Sequence, residues 1–250
     1  MDHMAAEGPG TASGRVLSER PRFFAWSALL MAAVVVLSFP VTYYLPLATG
    51  SGKFDTLHHA HGLAFFAWFG LYVWQTRLVA RGNVARHREL GLAGFALGGL
   101  MIPLGYWMAQ RSAQARLGTM DHPYESTWYS IVDITLFAVL MTAAIVSVTR
   151  QREWHRRFMF VAALCLVAPA ATRWTYRIPG VEAFVLDIVV YLVIYPFLIA
   201  LALFDRRSLG KLHPATVTSV ALLLPLHVSS AWIARSDWWN GLAPGLIGPL

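Results

Sequence analysis

Seven long apolar stretches constrain this chain more than any other feature of its sequence. Each has the length, about 17 to 25 residues, at which a helix crosses the hydrocarbon core of a bilayer. Inside lipid, a helix satisfies all of its own backbone hydrogen bonds. The sequence therefore predicts an all-α, polytopic membrane bundle with seven transmembrane helices, at 23–48, 58–79, 90–109, 128–149, 158–174, 183–204 and 215–234.

The composition agrees with a membrane protein and divides the chain into three parts. Of 250 residues, 57% are hydrophobic and 13% are charged, whereas soluble domains carry roughly a quarter charged residues. Residues 1–20 are polar and rich in Gly and Ala, which predicts a disordered cytoplasmic tail. The transmembrane domain then covers 21–236, and 237–250, with Trp238 and Trp239, is expected to lie at the membrane interface as a C-terminal tail.

The net charge of +7 follows membrane topology and does not indicate a nucleic-acid partner. Most Lys and Arg residues lie in the N-terminal tail and in alternate loops, near residues 77–88, 150–157 and 206–211. The positive-inside rule then predicts a cytoplasmic N-terminus and a C-terminus outside. In the cytoplasmic turns, Arg86, Arg88, Arg156 and Arg157 favour the anionic head groups of membrane lipids.

Two features bear on packing. The only cysteine, Cys165, lies in an apolar segment, so neither an intrachain disulfide nor a multi-cysteine metal site is available. Gly94 and Gly98 give the third span a small face that lets a neighbouring backbone approach closely.

Five ionisable residues fall within the apolar stretches at one predicted depth. Counting about 1.5 Å per residue from the predicted boundaries places all five in the outer half of the membrane. An intramembrane charge is costly unless it is paired or functional, so the layer predicts a single outward-facing site. Its members are His61, Asp133, Arg173, Asp187 and His227.

The residue types in this layer suit a divalent metal, zinc or iron. Imidazole and carboxylate together are the usual ligands of such ions. His58 and His61 are three residues apart on one helix face. The expected metal ligands are His58, His61 and His227, with Asp187 or Asp133 as the oxygen ligand or as the group that orients a histidine.

The same residues also allow a haem b. Two histidines facing each other across a bundle, His61 or His58 opposite His227, would be its axial ligands. Arg173 would pair with a propionate. A third interpretation is a network without chemistry, in which Asp133 and Asp187 pair with Arg173 and a histidine to hold the helices in register, or a transport path lined by these groups.

Two resemblances follow from particular segments. HAHGLAFFAWFGLYVWQTRLVARG, HRELG, WHRRFMF with its following Pro169 and Arg173, and the run from Asp187 to HPAT resemble a group of small bacterial multispan membrane proteins. That resemblance covers most of residues 57–230 and implies an inner-membrane location, but no activity. The arrangement of histidines on several helices resembles the cytochrome b561 and ferric-reductase type, which implies a b-type haem electron carrier.

The leading hypothesis is a metal-dependent membrane oxidoreductase that acts on a lipid-like or quinone-like molecule. His61 and His227 would hold the cofactor, Asp133 and Asp187 would complete or orient the site, and Arg173 would fix an anionic group. The loop before the fourth span carries Glu125, a candidate acid or base above the site. The alternatives are the haem electron carrier, and a transporter or structural bundle.

Overall fold

The computed structural model describes residues 10–120 and 122–247, and every regular element in those ranges is a helix. A short π-helical turn at Pro40–Tyr44 follows the first helix. The α-helices are α1 (Gly10–Leu37), α2 (Leu45–Thr49), α3 (Thr56–Ala80), α4 (Val84–Gln114), α5 (Glu125–Ser147), α6 (Arg152–Thr175), α7 (Ala183–Val189), α8 (Tyr191–Leu209), α9 (Pro214–Ile233) and α10 (Asp237–Ile247).

Six helical segments are long and apolar enough to cross a membrane, which makes this a multi-pass membrane protein. They are Arg22–Thr49, Val84–Gln114, Glu125–Ser147, Arg152–Thr175, Ala183–Leu209 and Pro214–Ile233. The predicted second span forms α3, whose 25 residues have sufficient length. However, α3 opens with three histidines and carries Gln75 and Arg77, so its hydropathy is lower than that of the six. The seventh span stays a prediction.

Helix α6 is the centre of the bundle. It packs against α1, α5, α8 and α9, and 72% of its most apolar window is buried, against 17–39% in the other spans. Alanines and other compact side chains fill its middle, so neighbouring helices approach it closely. The outer helices expose large apolar side chains instead, as contact with hydrocarbon requires. Leu63, Leu92, Val146 and Leu192 are each more than 70% exposed.

The bundle has two ends, which we name by their residues. The basic end contains the turns at 81–83, 148–151 and 210–213, where Gly82 and Gly210 adopt positive φ values of 77° and 72° that favour glycine. The α10 end contains α10 and the connecting residues 115–120, 122–124 and 176–182. Because successive long helices are joined by short turns, they alternate in direction between these ends.

The predicted small face of the third span is confirmed at Gly94 and Gly98 of α4. A Cβ atom at Gly98 would lie 2.5 Å from Met141 Sδ and 3.2 Å from Trp68 Nε1, so a larger residue between α3 and α5 would require the Met141 side chain to move. At Gly94 the nearest atom is a methyl group of Leu71, at 3.6 Å. The α4 backbone therefore approaches both of its neighbours closely.

The ends of the chain differ from the expectations in two respects. Helix α1 begins at Gly10, inside the predicted tail, while residues 1–9 lie outside the described residues. After α9 the chain forms α10, in which Trp238 is exposed but Trp239 is 2% exposed. Trp239 Nε1 donates to the Tyr124 carbonyl at 2.9 Å. One of the paired tryptophans is thus a packing residue of the α10 end, and not an interface anchor.

Candidate functional site

Asp133 and His227 meet between α5 and α9. At 1.5 Å per residue, Asp133 lies about 12 Å and His227 about 9 Å inside the α10 ends of their helices, so their depths match. His227 Nε2 is 3.6 Å from Asp133 Oδ1, and the two side chains are 2% and 11% exposed. This distance exceeds the usual range of a hydrogen bond. Neither ring nitrogen of His227 has a hydrogen-bond partner among the described residues.

Aromatic rings and a thiol enclose this pair. The Tyr191 ring stacks on the His227 imidazole, with centroids 4.6 Å apart and an interplanar angle of 19°. Tyr195, one turn further along α8, continues the stack at 6.3 Å from His227. On α6, Cys165 is fully buried and close enough to Asp133 for an electrostatic interaction. The pair thus lies in a closed, mostly apolar pocket formed by α5, α6, α8 and α9.

Asp187 is the centre of a second polar cluster, nearer the α10 end. Its Oδ2 accepts a hydrogen bond from the Tyr129 hydroxyl at 2.8 Å and lies 2.6 Å from an amino group of Arg235. Its Oδ1 accepts a hydrogen bond from the Tyr176 hydroxyl. Arg235 also pairs with Glu125 at 2.5 Å. Asp187 is 3% exposed, so these donors together compensate for the desolvation of its carboxylate.

The Asp187 cluster connects the protein surface with the buried pair. Arg235 and Glu125 are 25% and 30% exposed. Burial alone would lower the pKa of Arg235, but the hydrogen bond to Asp187 and the carboxylates of Asp187 and Glu125 raise it. Tyr191 is close enough to interact electrostatically with both Asp133 and Asp187. Polar groups therefore extend from the α10 end inward to His227.

His58 makes its described contacts elsewhere, at the start of α3. Its Nδ1 is 2.6 Å from Asp55, which in turn accepts from Arg111 Nε at 3.1 Å. These three residues line a cleft of about 600 Å³, whose other lining residues are Lys53, Phe54, Met108, Ser112 and Ala115. The expected partnership of His58 with His227 is absent from the described contacts.

His61 and Arg173 are near each other but not part of the Asp133–His227 pocket. Arg173 donates to the Pro169 carbonyl at 2.5 Å and lies over the Phe39 ring, 4.1 Å from its centroid. His61 stacks on Phe65 with ring centroids 5.9 Å apart, and it is close enough to Arg173 for an electrostatic interaction. Of the five predicted layer residues, Asp133 and His227 are therefore in contact, and Tyr191 links this pair to Asp187. His61 and Arg173 lie near each other but away from that pair.

This arrangement bears directly on the predicted cofactors. Within residues 10–120 and 122–247, no three His, Cys, Asp or Glu side chains are grouped in a way that would hold a metal ion. His227 faces Tyr191 and Asp133, where the haem hypothesis required it to face His61 or His58. Both cofactors stay predictions.

The basic end contains a buried ion pair that the sequence analysis missed. Arg157, at the start of α6, and Asp205, near the end of α8, have side chains 1% and 0% exposed and approach to 2.5 Å. Asp205 also accepts from the His213 backbone at 3.0 Å and from the Thr216 hydroxyl at 2.6 Å. Arg157 bonds Glu153 as well. Arg157 is therefore closed off from lipid head groups, contrary to the expectation for it.

Two histidines of the basic end have backbone partners. His213 caps α9 by accepting from Ala215 N at 3.1 Å. Burial and the nearby Arg157 lower the pKa of His213. His155 Nδ1 is 2.9 Å from the Ala144 carbonyl, and its ring lies 6.4 Å from that of His87.

Sequence reasoning also missed Arg235, Tyr129 and Tyr176 as partners of Asp187. The available signal was an arginine just past the end of a span, at the depth of a carboxylate on the preceding span. No known family, curated protein or solved structure matches the chain. The residues of the chain itself are thus the basis for its function.

Proposed function

We propose that this protein is a transporter of a bacterial inner membrane and that it binds and releases a proton at Asp133 and His227. The 3.6 Å contact between these two buried side chains is the observation that carries the proposal. Buried carboxylates and imidazoles within membrane helices are typical of proton relays and substrate paths. Uptake or release of one proton by this acid and base would change the net charge of the buried pair between α5 and α9 by one unit.

The pair is suited to exchange because it is not locked by other bonds. Burial disfavours the charged forms of both groups, whereas their mutual attraction favours them, so the two effects oppose each other at this pair. Neither His227 ring nitrogen is held by another partner among the described residues. A small movement of α5 relative to α9 would therefore be enough to shift the proton.

Protons would reach the pair from the α10 end. Glu125 and Arg235 lie at the surface, Asp187 and its tyrosines lie below them, and Tyr191 lies between Asp187 and Asp133. Under the positive-inside rule the basic end lies in the cytoplasm, so the α10 end and the C-terminus face the periplasm. With α3 as the seventh span, this topology also places the N-terminus in the cytoplasm.

Infrared titration of the purified protein tests the proton site directly. A protonated carboxylic acid in an apolar pocket gives a carbonyl stretching band that disappears when the proton leaves. We expect one such band to titrate in the wild-type protein, to vanish in Asp133→Asn, and to shift its midpoint in His227→Gln. Asp187→Asn is the matched control and retains the band.

Transport is measured with the same variants in proteoliposomes. Under an imposed pH gradient, we expect candidate lipophilic anions or cations to accumulate with the wild-type protein and not with Asp133→Asn. A titrating band that persists in Asp133→Asn would contradict the proton site. A band without any gradient-driven accumulation would contradict transport and leave the proton site standing.

A metal-dependent oxidoreductase is the second candidate. It is favoured by the free lone pair of the buried His227 imidazole beside a carboxylate oxygen, a pair of donors that suits zinc or iron. On that hypothesis a lipid-like or quinone-like substrate would enter from the bilayer. Metal analysis combined with a visible spectrum decides it: near-stoichiometric zinc or iron supports the ion, a sharp Soret band supports haem b, and a colourless, metal-free active protein contradicts both.

A further inference from the structure

We propose that a groove between α1 and α3 at the basic end binds the phosphate of an anionic phospholipid. The groove has a volume of about 300 Å³. It is distinct from the Asp133–His227 pocket and does not depend on the function proposed for that pair. Its lining consists of three arginines, Trp26 and three aliphatic residues: Arg22, Ala25, Trp26, Leu29, Arg77, Ala80 and Arg81.

Helical spacing brings these side chains together. Residues 22, 25, 26 and 29 recur every three or four positions and therefore form one stripe on α1. Residues 77, 80 and 81 form the matching stripe at the end of α3. The small side chains of Ala25 and Ala80 leave the space, and arginines surround it at the level of the helix ends.

Among the side chains that the structure describes, none compensates the charge of the groove. Arg22, Arg77 and Arg81 are exposed and have no ion-pair partner among the described residues. The cleft beside His58 differs, because its Arg111 is already paired with Asp55. Three exposed guanidinium groups next to apolar walls match a phosphodiester attached to acyl chains, and guanidinium binds phosphate oxygens in a bidentate manner.

The position of the groove selects a lipid over a soluble phosphate. Trp26 is 64% exposed, as is typical of tryptophan at the bilayer interface. Trp26 and Leu29 continue from the arginines toward the bilayer centre, where the acyl chains of a bound lipid would lie. Basic pockets between transmembrane helices on the cytoplasmic side are known to bind anionic head groups.

Lipid titration of the full-length, delipidated protein in detergent tests the proposal. The probes are phosphatidylglycerol, phosphatidylcholine and inorganic phosphate, and binding is followed by native mass spectrometry. We expect phosphatidylglycerol to bind about tenfold or more tighter than phosphatidylcholine, because the zwitterionic head group offers no net charge to the arginines. The triple variant R22Q/R77Q/R81Q should lose this preference.

The matched control is R206Q/R207Q/K211Q, which removes the same charge from exposed positions of the same end outside the groove. We expect the control to retain the wild-type preference. An equal loss in the control would overturn the groove in favour of a diffuse charge effect. Equal binding of phosphatidylcholine, or inorganic phosphate that binds as tightly as the lipid, would overturn an anionic lipid as the ligand. If R22Q/R77Q/R81Q still preferred phosphatidylglycerol, the groove would be ruled out as the binding site.

Discussion

Two acid–base pairs lie inside the spans of this protein, and they are built in opposite ways. At the basic end, Asp205 accepts from Arg157, from Thr216 and from the His213 backbone, and its side chain is 0% exposed. Toward the α10 end, Asp133 has only His227, at 3.6 Å, with both imidazole nitrogens unpartnered among the described residues.

The difference separates structural from functional use of a buried charge. A buried carboxylate whose lone pairs are all occupied holds helices in one arrangement, and removing its partner leaves an uncompensated charge. A carboxylate with one loosely placed partner contributes little to stability but can exchange a proton. Asparagine substitutions of the carboxylates test this distinction, because they retain the shape of the side chain and remove its charge.

The largest effect is expected at the basic end. Asp205→Asn leaves the buried Arg157 guanidinium with only the partly exposed Glu153 as a counter-charge, so we expect a loss of about 3–5 kcal/mol in the free energy of unfolding. Cys165 provides the measurement, because it is the only cysteine and is fully buried in α6. A thiol-reactive fluorogenic maleimide then reports the unfolding temperature directly.

A double variant distinguishes the pair from other effects at this position. Replacing both partners, as in Arg157→Leu with Asp205→Leu, removes the stranded charge and should recover part of the loss. A double variant as unstable as the sum of the two single variants would contradict the interpretation of Arg157 and Asp205 as one unit.

The contrast between the two pairs also shows how far the sequence could predict this molecule. Hydropathy predicted the helices, and counting along them predicted that Asp133 and His227 lie at a common depth. Neither hydropathy nor counting could predict the rotation of each helix about its axis, because that rotation depends on the packing of neighbouring helices. His58 and His61 were therefore placed at the site, although they lie against Asp55 and Phe65 instead.

The missed residues were hidden for a different physical reason. Arg157 and Arg235 lie in or beside segments that sequence analysis assigns to topology, because arginines near span ends are expected from the positive-inside rule and from interface anchoring. Nothing in the local pattern separates a solvated arginine from one that reaches a carboxylate on another helix. The Arg157–Asp205 contact depends on the packing of α8 against α6, and the Arg235–Asp187 contact depends on the packing of α7 against α9. Neither packing can be read from the local sequence.

An intermediate effect is expected at Asp187, which has several partners but lies next to the surface. In Asp187→Asn the amide retains one acceptor for the tyrosines, and Arg235 keeps its bond to Glu125. We expect a loss of about 1–3 kcal/mol, the usual cost of a buried group left partly unsatisfied. Tyr129→Phe, which removes only one donor, should lose less in the same assay. A greater loss for Tyr129→Phe than for Asp187→Asn would contradict the central place of Asp187 in this cluster.

Asp133→Asn should separate stability from proton exchange most clearly. Among the described residues, His227 forms no hydrogen bond through either ring nitrogen, and it lies 3.6 Å from Asp133. We therefore expect Asp133→Asn to change the free energy of unfolding by about 1 kcal/mol or less. The infrared band proposed for Asp133 should nevertheless disappear completely. A destabilisation as large as that of Asp205→Asn would remove the distinction between the two pairs.

The smallest effect is expected at Asp55, a carboxylate outside the spans with partners but little burial. The hydrogen bond from the His58 side chain, the His58 backbone amide and Arg111 hold the pKa of Asp55 well below its ordinary value of 3.8. Because folding lowers the pKa of Asp55, the ionised carboxylate stabilises the protein at pH values above its ordinary pKa. This stabilisation is lost as the pH falls toward the lowered pKa of the folded state.

Asp55→Asn should therefore unfold at a slightly lower temperature than the wild-type protein at pH 7, and this difference in unfolding temperature should narrow once the pH drops below about 4. Arg111→Gln keeps the His58 bonds of Asp55. In that background, the difference in unfolding temperature between Asp55 and Asn at this position should be only partly reduced. A difference between wild type and Asp55→Asn that does not vary with pH would mean that the charge of Asp55 has no role, and only the shape of its side chain caps α3.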